Sequence, residues 1–73
     1  MVKLFSKDGC APCKMVKQFL AYKDVKYTEY TTESDEYKEL ISKHGHLSTV
    51  PVLEVDNTLV LGYNPSRLTE LLG

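Results

Sequence analysis

Phe5-Ser6-Lys7-Asp8-Gly9-Cys10-Ala11-Pro12-Cys13-Lys14-Met15-Val16 is the stretch in which the chain changes its period. Before it, Met1 to Phe5 reads as a short strand. Ser6 to Gly9 is turn chemistry, and Gly9 permits a backbone angle that other residues avoid. From Cys13 to Tyr22 the period becomes helical. Val16, Phe19, Leu20 and Lys23 stand at i, i+3, i+4 and i+7, and Met15 with Tyr22 is expected to widen the apolar arc. Two cysteines therefore sit where a strand hands over to a helix.

Working outward, Val25 to Tyr30 alternates and is rich in Val, Tyr and Thr, which predicts a strand. Thr31 to Ser34 supplies cap candidates, and Asp35 and Glu36 favour a helix start. Tyr37, Leu40, Ile41 and His44 repeat at helical spacing, and Gly45 is a stop. Pro51 to Val55 reads as a strand opened by proline, where a missing donor is tolerated. Asp56-Asn57 reads as a tight turn, with Thr58 to Leu61 as the returning strand. Asn64-Pro65 predicts a last helix start, Asn64 as N-cap and Pro65 at the first helical position. Leu68, Leu71 and Leu72 form its apolar stripe. The order is β-α-β-α-β-β-α. Right-handed crossover makes the first two strands parallel, and the hairpin adds an antiparallel pair. The expected class is α/β: a four-stranded mixed sheet flanked by three helices.

The chain has 73 residues and a net charge of −1. That length predicts one domain spanning 1–73, with a thin core. Balanced charge argues against a dedicated nucleic-acid binder, which would show a basic stripe. No apolar run is long enough for a membrane span, and Met1 to Phe5 lacks the features of a signal peptide. The expectation is a cytoplasmic monomer with no nucleic-acid or membrane partner.

The chain has 2 cysteines. A Cys10–Cys13 bridge closes a tiny loop and constrains little of the unfolded chain. In a reducing compartment that leaves redox chemistry or metal binding. A zinc site usually needs further ligands at typical spacings. His44 and His46 are the remaining candidates, and their spacing does not match. His44 is better read on a helix face and His46 in a loop. No intrachain metal is expected, although a metal or iron–sulfur cluster shared between two chains is an alternative of another class.

With Cys10 as N-cap, Ala11, Pro12 and Cys13 are the first three helical residues. An N-cap side chain accepts from the amide two or three residues on. Pro12 has no N–H, so the Cys13 amide is the expected donor to a Cys10 thiolate. The helix dipole also favours negative charge there. Both effects are expected to make Cys10 more acidic than a free thiol and hence the attacking nucleophile. Cys13, one turn further in, is the expected resolving thiol. Lys7 and Lys14 read first as solvated charges; functionally they would support the thiolate or steer acidic partners. Glu29, Glu33, Asp35, Glu36 and Glu39 read as a solvated face.

Phe5-Ser6-Lys7 leading to Cys10-Ala11-Pro12-Cys13, then Thr49-Val50-Pro51, then Gly62-Tyr63, resembles the glutaredoxin branch of the thioredoxin superfamily over essentially the whole chain. The resemblance implies a thioredoxin fold and a dithiol–disulfide oxidoreductase with no bound cofactor, cycling a Cys10–Cys13 disulfide. It also implies a cis bond before Pro51 facing the cysteines. The Val50 backbone could then pair with an extended substrate. Lys7, Ala11, Pro12, Thr49, Val50, Pro51, Gly62, Tyr63 and Asn64 are the implied partner-binding residues. Tyr63 could equally be core packing.

Within that branch, Pro51 to Asp56 and Leu61 to Leu68 resemble the NrdH-redoxins. These are reduced by thioredoxin reductase and pass electrons to ribonucleotide reductase. Glutathione-dependent glutaredoxins carry a Gly-Gly pair followed by acidic residues at the last helix start. Here Leu61 replaces the first glycine, and Asn64 and Pro65 stand at the acidic positions. Asn64 has no charge to grip an amino group, and Pro65 removes an amide donor. A weakened glutathione site is expected, with glutathione kept as the alternative co-substrate. The chain also departs from typical NrdH-redoxins at Tyr63-Asn64 and at Ala11-Pro12.

Overall fold

The computed structural model describes residues 2–45, 47 and 49–73. Met1, expected at the start of the first strand, and His46, expected in a loop, lie outside the described residues. The elements are β1 (Val2–Ser6), α1 (Ala11–Tyr22), β2 (Thr28–Thr31), α2 (Asp35–His44), β3 (Val52–Val55), β4 (Thr58–Leu61) and α3 (Pro65–Leu72). The order matches the sequence expectation.

The strands form one four-stranded sheet in the order β2-β1-β3-β4. β1 pairs parallel with β2, from Lys3 opposite Thr28 to Ser6 opposite Thr31. It pairs antiparallel with β3, from Val2 opposite Val55 to Phe5 opposite Val52. β3 and β4 form the antiparallel hairpin, and Asp56 in its turn has φ 54°. β1 is thus central, and its carboxyl end delivers the chain to Cys10.

Strand alternation splits the core between the two faces of the sheet. On one face, Leu4, Leu53 and Val60 pack with Val16 and Leu20 of α1 and Leu68 of α3. Leu4, Val16, Leu20 and Leu68 are fully buried. Burying a side chain of this kind contributes roughly 1.5–3 kcal/mol. On the other face, Phe5 and Val52 pack with Leu40 of α2. The Phe5 and Tyr30 rings stack there at 5.5 Å between centroids. The layered α/β architecture is a thioredoxin fold.

Strand boundaries differ from the sequence reading: β1 runs on to Ser6 and β2 to Thr31. α1 begins at Ala11, two residues before the apolar period starts at Cys13 and where the reading of Cys10 as N-cap places it. The apolar arc of α1 is narrower than expected: Met15 is 45% and Tyr22 85% exposed, and Lys23 is the C-cap. β2 begins at Thr28 rather than Val25. The chain there is still closing α1. Asp24 N–H donates to Ala21 O at 3.1 Å and Val25 N–H to Leu20 O at 2.9 Å, with Asp24 at φ 56°. That is the double bond pattern of a Schellman stop, built on aspartate where glycine is usual. Pro51 likewise precedes β3 rather than opening it.

Candidate active site

The site starts from the helix cap. Cys10 has extended backbone angles, and its Sγ accepts from the Cys13 N–H at 3.2 Å. Lys14 N–H donates to Cys10 O at 3.3 Å. Gly9, at φ 73°, lets the chain turn from β1 into that cap without a Cβ penalty. Cys10 and Cys13 are joined by a disulfide, with Cα atoms 5.2 Å apart. Cys10 is 8% exposed and Cys13 2%, so Cys10 is the more accessible residue of the pair. Ala11, Pro12 and Lys14 beside it are exposed. The first turn of α1 holds no acidic side chain, so no carboxylate competes for the partial positive charge of the helix start.

The Val50–Pro51 peptide bond is cis, as the resemblance implied. Pro51 is buried, Val50 half-buried and Thr49 exposed. Gly62 N–H donates to Pro51 O at 2.8 Å, which joins the Gly62 corner to the proline segment. Tyr63 is 37% exposed, so it is not core packing. Asn64 caps α3, its Oδ1 accepting from Arg67 N–H at 3.1 Å, and Pro65 comes next at the helix start. Lys7 lines a separate groove of about 130 Å³ with Asp8, Thr31, Thr32 and Glu33. Thr49, Val50 and Asn64 do not line it.

A cluster the sequence reading missed joins the end of β1 to β2 and α1. Ser6, the last residue of β1, is 4% exposed, and its hydroxyl donates to Glu29 Oε2 at 2.7 Å. Lys17 Nζ of α1 lies 2.6 Å from the same oxygen. Glu29 is therefore not simply part of a solvated face. The hydrogen bonds from Lys17 and then Ser6 hold its carboxyl below the usual range. The hydrogen bond to Glu29 holds Lys17 above its ordinary value. No local motif announces a Ser6–Glu29–Lys17 contact; strand pairing and helix docking create it.

Among the described residues, no group of three or more His, Cys, Asp or Glu side chains is arranged to hold a metal ion. His44 faces Glu54 of β3, Nε2 to Oε2 at 3.8 Å. Among the described residues, no helix is long and apolar enough to cross a membrane.

A thioredoxin-fold sheet with a disulfide at a helix N-terminus and a cis proline ahead of its third strand defines a thiol–disulfide oxidoreductase. The glutaredoxin family model matches residues 2–60, and the chain belongs to that family. The glutaredoxin-like protein NrdH of Lactococcus lactis subsp. cremoris is 33% identical, covering 97% of this chain and 99% of that protein. Among solved structures, the thioredoxin-like protein BC3987 superposes with a TM-score of 0.83 at 28% identity, covering 99% of this chain and 100% of that one. The NrdH-redoxin of Escherichia coli shares the fold, with a TM-score of 0.80 at 11% identity, covering 96% of this chain and 92% of that one.

Proposed function

We propose that this redoxin reduces protein disulfides with Cys10 as nucleophile and Cys13 as resolving thiol. Its proposed reductant is thioredoxin reductase and its proposed acceptor ribonucleotide reductase or a similar disulfide protein. The Cys10 cap carries the reading: the more exposed cysteine of the pair is the one whose Sγ receives the Cys13 amide. In the reduced protein the Cys10 thiolate attacks one sulfur of the partner disulfide. A mixed disulfide forms and the partner's other sulfur leaves as thiolate. Cys13, as thiolate, then attacks Cys10 Sγ and expels the partner's second thiolate. Two electrons have passed to the partner, and the chain holds the Cys10–Cys13 disulfide. The reductase returns the two electrons.

The likeness to NrdH proteins supports that choice of reductant, as does the start of α3. Asn64 Oδ1 is already engaged by Arg67, and Pro65 has no N–H to offer an anion. Glutathione as reductant is the second reading, favoured by the match to the glutaredoxin model. The test supplies NADPH with either thioredoxin reductase, or glutathione and glutathione reductase, and measures NADPH consumption by the oxidised protein. Fast recycling by thioredoxin reductase is expected. Recycling by the glutathione system alone would overturn the assignment of the reductant and leave the roles of the cysteines standing.

A further inference from the structure

The Ser6–Glu29–Lys17 cluster ties β1 and α1, which flank the redox loop, to β2. Ser6 ends β1, four residues before Cys10 in sequence. Glu29 lies on the edge strand β2. Lys17 lies on α1, four residues after Cys13, so the two side chains are neighbours on one helix face. Long helical side chains lean back toward the N-terminus, so Lys17 leans toward the turn that carries Cys13. Asp8 of the redox loop and Tyr27 before β2 also act on the Lys17 ammonium. Other charges near this end belong to exposed Lys7, Lys14 and Glu33, the last in one groove with Lys7 and Asp8. On α3, Arg67 is paired with Glu70 at 3.4 Å.

We propose that Glu29 is a positioning residue of the redox site: by gripping Lys17 and Ser6 at the base of the Cys10 loop, it neutralises a cation one helical turn from Cys13 and so sets the acidity of the reactive thiol. The clamp makes two opposite errors possible. Without Glu29, an unpaired ammonium lies beside the site and favours thiolate. Without Lys17, an unpaired carboxylate remains there and disfavours it. A clamp that only held the fold together would change both variants in the same sense. The pair is about two-fifths exposed on each side, so screening keeps the effect modest.

The proposal rests on Cys10 being the attacking thiol, and the experiment separates the two claims. The reduced protein is alkylated with iodoacetamide across a pH series, with no reductase or partner present. Glu29→Gln is expected to move the titration of the reactive thiol to lower pH, and Lys17→Gln to higher pH. Each displacement is about half a pH unit or less, equivalent to about threefold in thiolate fraction at a fixed pH below the midpoint. Lys17→Arg should keep the parent profile, and Glu29→Gln/Lys17→Gln should return close to it. Displacement of both single variants in one direction overturns the proposal, as does an unchanged profile with a lowered melting temperature. If Glu29→Gln does not fold, Lys17→Gln set against Lys17→Arg still gives the sign. A Cys10→Ser control that keeps the fast-reacting thiol would sink the nucleophile assignment instead, whatever the clamp variants do.

Discussion

The starts of α1 and α2 use one geometry for two purposes. In each, the N-cap side chain accepts from the amide three residues on: Cys10 from Cys13 at 3.2 Å and Ser34 from Tyr37 at 3.1 Å. The residues just past the cap differ. α2 carries Asp35 and Glu36 in its first turn, which complement the dipole and stabilise the helix. α1 carries Ala11 and Pro12 in the corresponding places and no acid. Its positive end is left for a charge that the cap itself can develop. A hydroxyl at that position caps a helix; a thiol there, with no acid in the first turn, is the group proposed to react.

Converting one start into the other tests the comparison. The largest effect is expected from Cys10→Ser, which gives α1 the cap atom of α2. Serine is a good N-cap, so far-UV circular dichroism should stay close to that of the parent while disulfide reductase turnover falls to background. Turnover near the parent rate would refute the role of Cys10. Next comes Ala11→Asp, which places an acid in α1 where α2 has Asp35. A carboxylate beside the cap competes for the dipole and repels the thiolate. Alkylation of the reduced protein at neutral pH should slow roughly threefold to tenfold; an unchanged or faster rate would show that the empty first turn is incidental. The smallest expected effect comes from Ser34→Ala, which removes the cap of α2. It should cost about 1 kcal/mol of stability, lowering the melting temperature by roughly 4–8 °C. The thiol titration should stay fixed, and a moved titration would mean that the two helix starts are coupled.

The parts of the fold carried by local chemistry were legible in the sequence. The Asn64-Pro65 start of α3, the Ser34 region before α2 and the Asp56-Asn57 turn each depend on a few consecutive residues. Element order came from hydrophobic period. The C-terminal end of α1 and the width of its apolar arc were less legible. Asp24 does there what glycine usually does, so Val25 looked like strand. Met15 and Tyr22 fit the helical arc yet remain exposed, because the sheet has room for the narrower Val16–Leu20 stripe. Cys10 and its amide donor were readable because cap and donor lie three residues apart. Ser6, Lys17 and Glu29 were not, because the strand pairing and helix packing that join them leave no mark at any one position.

By itself the sequence determined the pair proposed to do the chemistry, two sulfurs at a helix start with a proline between them, and the alternation that folds strands and helices around them. These are short-range consequences of capping and periodicity. Only the tertiary structure decided what surrounds the sulfurs. It buries Cys13 more deeply than Cys10, bonds Gly62 to Pro51, and sets Glu29 between Ser6 and Lys17. Such contacts depend on strand register and helix docking, in which distant residues meet because burying the shared core leaves them no other place.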